Sequence, residues 1–220
     1  MDPPLLEDDL DEPGIIEARL LHRRGPAVPV AAVVSFFNDL LTRLAREGEL
    51  RPVYELRSEI GVNPVYVFES GGGPVTVVHP GVGAPLAAGV VEEIIALGVT
   101  TLVACGGTGA LVDELTLGQV MVVESALRDE GTSLHYAPPS RVIQAERRAV
   151  ASVSDVLTRR GVPHVVGRTW TTDAFRRETR GRVARRAAEG CQMVDVTSRT
   201  AKSRPLLLRP LVRPEGPVRP

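Results

Sequence analysis

The chain has 220 residues, enough for one sizeable domain with its own core. Its 26 Lys and Arg against 27 Asp and Glu leave a formal net charge of −1, so no global basic field marks it for nucleic acid. Hydrophobic residues make up 43%, ordinary for a soluble globular protein, and no apolar run approaches the roughly 18 residues of a membrane span.

Residues 1–25 read as an acidic N-terminal arm (Glu7, Asp8, Asp9, Asp11, Glu12) without the basic-then-apolar layout of a signal peptide. Val28 to Val34 is β-branched and predicts a first buried strand. Phe36 to Arg46 has apolar positions at helical spacing and stops at Gly48. Val53–Leu56, Val65–Phe68 and Val75–Val78 read as short strands, the last two joined by a turn at Gly71-Gly72-Gly73-Pro74. Pro85 suits a first helical turn, and Ala87 to Leu97 continues that helix to Gly98. Thr100–Ala104 and Val120–Val123 are further strands. Arg141 to Arg160 predicts a helix closed by Gly161, Val162 to Arg168 a strand, and Asp173 to Ala188 a charged amphipathic helix. Strands alternating with helices predict an α/β domain over 26–195, with a mixed or mostly parallel sheet and helices on both faces.

The stretch 196–220 differs. It holds five prolines and five arginines in recurring Arg-Pro dipeptides without periodicity, and is expected to be extended or disordered. Cys105 and Cys191, the two cysteines, make no disulfide framework, so cytoplasmic residence is expected. No repeat and no metal-ligand spacing stands out.

Two glycine islands carry the functional signal. His79-Pro80-Gly81-Val82-Gly83-Ala84-Pro85 and Ala104-Cys105-Gly106-Gly107-Thr108-Gly109-Ala110 each follow an apolar strand. Glycine tolerates positive φ and leaves backbone N–H groups open to an oxyanion, so such turns suit a phosphate or a sugar. In α/β sheets they lie at the carboxyl ends of strands, where ligands bind.

These islands, taken in order with Leu56-Arg57-Ser58-Glu59-Ile60-Gly61, Arg128-Asp129-Glu130-Gly131-Thr132-Ser133-Leu134-His135-Tyr136 and Trp170-Thr171-Thr172-Asp173-Ala174-Phe175, resemble the nucleoside phosphorylase family, most of all its uridine phosphorylase-like branch. The resemblance covers roughly residues 5 to 195. It implies a three-layer α/β/α fold whose mixed central sheet closes partly into a barrel. It implies phosphate-dependent cleavage of the N-glycosidic bond of a uridine or purine nucleoside, giving free base and ribose 1-phosphate in nucleoside catabolism or salvage. Inorganic phosphate is then a co-substrate, no metal or organic cofactor is needed, and the chain forms a homo-oligomer, a dimer or trimer of dimers, with sites at subunit borders.

Carried over residue by residue, the resemblance makes Gly81, Arg57, Gly107 and Thr108 phosphate-binding, and Gly83, Gly106 and Phe175 ribose- or base-binding. Arg57 would reach phosphate from the neighbouring subunit, the alternative being a solvated arginine at a strand end. Phe175 would pack on the base or in the core. Asp173 would order its loop through backbone hydrogen bonds. Arg128 and Glu130 would pair or buttress the site, His135 and Tyr136 would shape its wall, and Cys105 would be a small apolar filler. No catalytic residue is assigned.

The chain also departs from the family. Ser35-Phe36-Phe37-Asn38-Asp39 replaces a phosphate-binding glycine-aspartate-proline-x-arginine turn, and Ala104 replaces a second arginine. The resemblance stops at Asp195, and Val196 and Thr197 stand where a Met-Glu pair would hold the ribose hydroxyls. The shift to Arg and Pro is what an out-of-frame reading of GC-rich DNA would give, so a truncated or frameshifted member is expected. A nucleoside hydrolase of the same fold is the alternative, as is an inactive remnant that binds nucleoside or only oligomerises.

Overall fold

A computed structural model describes residues 4–7, 10–21, 27–115, 118–195 and 206–212. Eleven strands form one mixed sheet: β1 (Ala31–Ser35), β2 (Leu50–Ser58), β3 (Gly61–Ser70), β4 (Gly73–Val78), β5 (Thr101–Gly107), β6 (Gly109–Ala110), β7 (Val120–Asp129), β8 (Val142–Gln144), β9 (His164–Thr172), β10 (Cys191–Asp195) and β11 (Leu206–Val212). The helices are α1 (Ala18–Leu21), α2 (Asn38–Arg46), α3 (Ala84–Ala96), α4 (Arg147–Arg159) and α5 (Arg180–Ala188). The strand order is β2-β3-β4-β1-β5-β11-β7-β9-β10-β6, with β8 on β7. Strands β4, β1 and β5 are mutually parallel, as are β7, β9 and β10, and β11, antiparallel to β5 and parallel to β7, sets the two groups in opposite directions.

Three layers follow from the alternation of side chains along each strand. Val34 and Val78 face α3 and pack with its Val90 and Ile94. Val33 and Val77 face the other way, onto Leu41 and Leu44 of α2. A second core gathers around Trp170 and Cys191, both fully buried, against Val183 of α5.

The sheet is open, and no closed barrel forms among the described residues. Its last strand, β6, follows β5 after Thr108 alone and pairs with β10. The sheet therefore bends toward β10 without a full strand to seal it.

Several boundaries differ from the sequence reading. The edge hairpin β2–β3 is longer than its apolar stretches, because exposed residues such as Arg51, Glu55 and Arg57 extend the ladder on the solvent face. The helix expected from Arg141 begins at Arg147. Val142–Gln144 instead pairs with β7, and the Glu146 carboxylate caps α4 by accepting from the N–H groups of Arg148 and Ala149 at 2.9 and 2.6 Å. The helix expected from Asp173 begins at Arg180, capped by the Thr179 hydroxyl. Strand β10 was not foreseen, because Cys191–Asp195 is short and lies just before the loss of pattern.

The arm is described at 4–7 and 10–21, where it makes a 3-10 turn, Pro4–Leu6, and α1. Of the tail, 206–212 is an extended strand antiparallel to β5 and parallel to β7. The rest of the tail, including Val196 and Thr197, lies outside the described residues. Among the described residues no helix is long and apolar enough to cross a membrane.

Candidate active site

The glycine islands end β4 and β5, so they bracket the start of α3. Gly81 and Gly83 have φ of 78° and 96°, values that side-chain-bearing residues adopt only with strain. Gly83 caps α3 and Pro85 falls in its first turn. The chain thus reverses from strand to helix within five residues, and α3 starts at the carboxyl ends of β4, β1 and β5.

Helix α3 separates two chambers of about 370 Å³ each. Ala84, Ala87, Ala88 and Val91, at helical spacing, line the first. Its remaining wall comes from Val34 of β1 and Phe36 just after it, Ala104, Cys105 and Gly106 of β5, Ala126, Arg128 and Glu130 around the end of β7, Ser133 and Tyr136, Ile143 of β8, Thr171, and Asp195 at the end of β10. Pro85, Leu86, Gly89 and Glu93, on the other side of α3, line the second, facing Arg57, Ile60, Val62 and Asn63 of the edge hairpin. His79 and Gly81 also line it.

The predicted site residues divide between these chambers. Arg57 and Gly81 are brought together in the second, and Gly106 lies in the first. Arg57 is exposed and ion-paired to Glu55 on its own strand. The Gly81 N–H donates to His79 Nδ1 at 3.0 Å. Gly107 ends β5, and Thr108 is buried with its hydroxyl donating to the Val194 carbonyl. Phe175 is 38% exposed with the Arg176 guanidinium 5.1 Å over its ring. Gly83, Gly107, Thr108 and Phe175 are not among the residues lining either chamber.

The wall after β7 is strongly braced. Arg128 donates through Nε to Ser133 Oγ at 2.7 Å and through its terminal nitrogens to Pro138 O at 2.7, Ser140 Oγ at 2.9 and Ala137 O at 3.2 Å. Glu130 accepts from the Ser133 N–H at 2.9 Å and from its hydroxyl. The two therefore buttress the segment after β7 and do not pair. Asp173 accepts from the Gly131 N–H at 3.0 Å, so it ties its turn to the segment after β7, while the bond within that turn is accepted by the Thr172 hydroxyl from the Ala174 N–H at 3.2 Å. His135 is exposed and lies outside both chambers.

Electrostatics follow from burial. Burial holds the His79 imidazole below its usual range, against a hydrogen bond with the Phe36 backbone that acts the other way. A neutral ring lets Nδ1 accept from Gly81. Burial likewise pushes the Cys105 thiol up, which keeps it protonated and apolar. Among the described residues no cluster of three or more His, Cys, Asp or Glu side chains could hold a metal ion.

Three residues matter more than the sequence suggested. Phe36 and His79 meet edge to face between the chambers, with centroids 6.4 Å apart. Asp195 places a carboxylate on the wall of the first chamber. The available signal for each was its position at the carboxyl end of an apolar strand.

Comparison with known proteins agrees with this architecture. The family model of the phosphorylase superfamily matches residues 30–199. A uridine phosphorylase of Thermococcus kodakarensis is 28% identical over 133 residues, covering 59% of this chain and 48% of that protein. The uridine phosphorylase of Escherichia coli is 33% identical over 107 residues, covering 49% of this chain and 42% of that protein. The chain thus spans under half the length of these two curated relatives. The crystal structure of uridine phosphorylase from Vibrio fischeri superposes with a TM-score of 0.65 at 23% identity, over 82% of this chain and 78% of that one. From the match across most of its length, the chain belongs to the phosphorylase superfamily.

Proposed function

We propose that the chain is a nucleoside phosphorylase, cleaving the N-glycosidic bond of a uridine or purine nucleoside with inorganic phosphate to give free base and ribose 1-phosphate. The observation that carries this reading is the pair of chambers meeting at Phe36 and His79, at the carboxyl ends of β1 and β4. The apolar first chamber suits a planar base, and the second holds Arg57 for an anion. The reaction needs both at once. Positive charge develops at the anomeric carbon as the base departs, so a phosphate fixed beside it both attacks and stabilises that charge. The Asp195 carboxylate, on the wall of the first chamber, suits the paired ribose hydroxyls, since one charged acceptor serves two donors.

On this reading phosphate is a co-substrate and no metal or organic cofactor takes part. The protein works in nucleoside catabolism or salvage in the cytoplasm, as a homo-oligomer with sites at subunit borders. The exposed Arg57 and the exposed Ile60 and Val62 beside it support that assembly, since a neighbouring subunit would cover them.

One observation favours a second reading. In the first chamber the Arg128 guanidinium is committed to the segment 133–140, and Ala104 supplies no cation. A nucleoside hydrolase, using water in place of phosphate, fits that wall.

The test is to incubate the full chain with uridine, inosine or guanosine, with and without phosphate, and follow base release by chromatography and sugar phosphate by ³¹P NMR. Release that requires phosphate and yields ribose 1-phosphate is expected. Release indifferent to phosphate establishes the hydrolase. No release, with no thermal protection by nucleoside plus phosphate, removes both.

A further inference from the structure

Phe36 stands where a chain of this architecture can meet substrate, and its position is fixed from three sides. Its N–H donates to the Cys105 carbonyl at 2.9 Å. Its side chain packs on the bare backbone of β5: a Cβ added to Gly106 would come within 3.1 Å of Phe36 Cβ and 3.2 Å of Cδ2. Its ring edge meets His79, whose Nδ1 is held by the Gly81 N–H. The ring therefore forms part of the partition between the chambers.

The first chamber offers an anion little. Its charged groups are Arg128, Glu130 and Asp195, two acids to one base, and the base is bonded to the segment 133–140. The second chamber carries Arg57 and Glu93, and Arg57 is ion-paired to Glu55. An anion entering the first chamber would lose its hydration against apolar walls and acidic groups.

We propose that Phe36 is the specificity-determining residue of this site: it makes the chamber between α3 and β5 admit an uncharged ring and refuse an anion. The identity of the ring as a nucleobase rests on the nucleoside reading above. The exclusion of the anion does not.

Cys105 lines the same chamber, whereas Cys191 is fully buried, so thiol labelling reports entry without any turnover. The experiment measures the rates at which neutral propyl methanethiosulfonate and anionic 2-sulfonatoethyl methanethiosulfonate label Cys105, read by peptide mass spectrometry. Each ratio is divided by that for glutathione, which cancels the intrinsic reactivity of the reagents. In the native chain the neutral reagent is expected to be favoured by at least about tenfold. In Phe36→Ser that preference falls to within about threefold of unity, because the anion gains a hydrated route past the partition. Labelling of Cys191 in Phe36→Ser marks unfolding. Phe36→Leu, which keeps apolar bulk without the reach of the ring, then replaces it and is expected to lower the preference partway. An unselective native chain overturns the proposal. So does a preference unchanged in whichever variant stays folded. Because no nucleoside is involved, failure of the turnover assay leaves this result standing, and the reverse holds equally.

Discussion

Tyr136 donates its hydroxyl to Glu92 Oε1 at 2.6 Å, tying the segment after β7 to the flank of α3. Together with the Arg128 bonds, this holds one wall of the first chamber against the helix that forms another. Burial first, then the hydrogen bond and negative charge of Glu92, push the phenol up to about 12. A folded-state value raised above the unfolded one of about 10 contributes stability below that value and loses it as pH rises toward the folded one. The Tyr136→Phe variant is expected to lack a phenolate step near pH 12 in ultraviolet titration. Tyr136 is 57% exposed, so the loss of stability at neutral pH should stay under about 1 kcal/mol.

His79 couples the glycine turn to the loop after β1. Its neutral ring accepts from the Gly81 N–H, its carbonyl accepts from Asn63 Nδ2 at 2.8 Å, and burial holds its pKa down. A depressed folded-state value makes the neutral histidine's contribution present above the unfolded value of 6.5 and lost as pH falls through the folded one. Native chain should therefore lose denaturant resistance as pH falls below the unfolded value of 6.5, and His79→Gln should lose distinctly less. Parallel slopes for the two proteins would count against the assignment.

Asp129 joins three elements. Its Oδ2 accepts from Trp170 Nε1 at 3.0 Å and from Arg186 at 3.1 Å, and the Arg186 guanidinium lies 5.6 Å from the Trp170 ring centre. The Arg186 side chain is only 12% exposed, so removing its partner leaves a poorly solvated cation. Asp129→Ala should cost about 2–3 kcal/mol, since Glu189 still pairs with Arg186. Trp170 is the sole tryptophan, so its fluorescence follows unfolding in urea directly.

Thr108 decides between a ligand and a bracket. Its buried hydroxyl donates to the Val194 carbonyl and pins the turn after β5 to β10. Thr108→Val keeps the shape and orphans that carbonyl, so a loss of about 1–3 kcal/mol is expected, with Thr108→Ser retaining most of the stability. If Thr108 acts as a bracket, any activity of Thr108→Val at low temperature shows an unchanged KM for phosphate. A phosphate KM raised tenfold or more would restore it as a phosphate ligand.

Much of the framework was legible along the chain. The β-branched runs at Val75–Val78 and Thr101–Ala104 are core strands because burial on both faces demands apolar residues without alternation. Gly81, Gly83 and Gly98 mark the two ends of α3 because only glycine adopts those φ values without strain. The order of the five motifs identified the family. Boundaries shifted where side-chain capping or strand pairing competed with periodicity, as at Glu146 and Val142–Gln144.

The grouping of site residues was another matter. Local sequence specifies turns and faces, but it does not say which hydroxyl or N–H is already spent. Thr108 and Gly81 looked like phosphate donors by position, yet the fold brings Val194 from 86 residues away onto one and the neighbouring His79 ring onto the other. Phe36 looked like the loss of an arginine, and packing against Gly106 turned it into a partition. The sequence by itself determined the long core strands, the ends of α3 and the family, because those depend on side-chain periodicity and backbone freedom within short windows. The tertiary structure alone decided which polar groups face a chamber and which are satisfied elsewhere, because hydrogen-bond partners distant in sequence are chosen only when the sheet brings them within 3 Å or so.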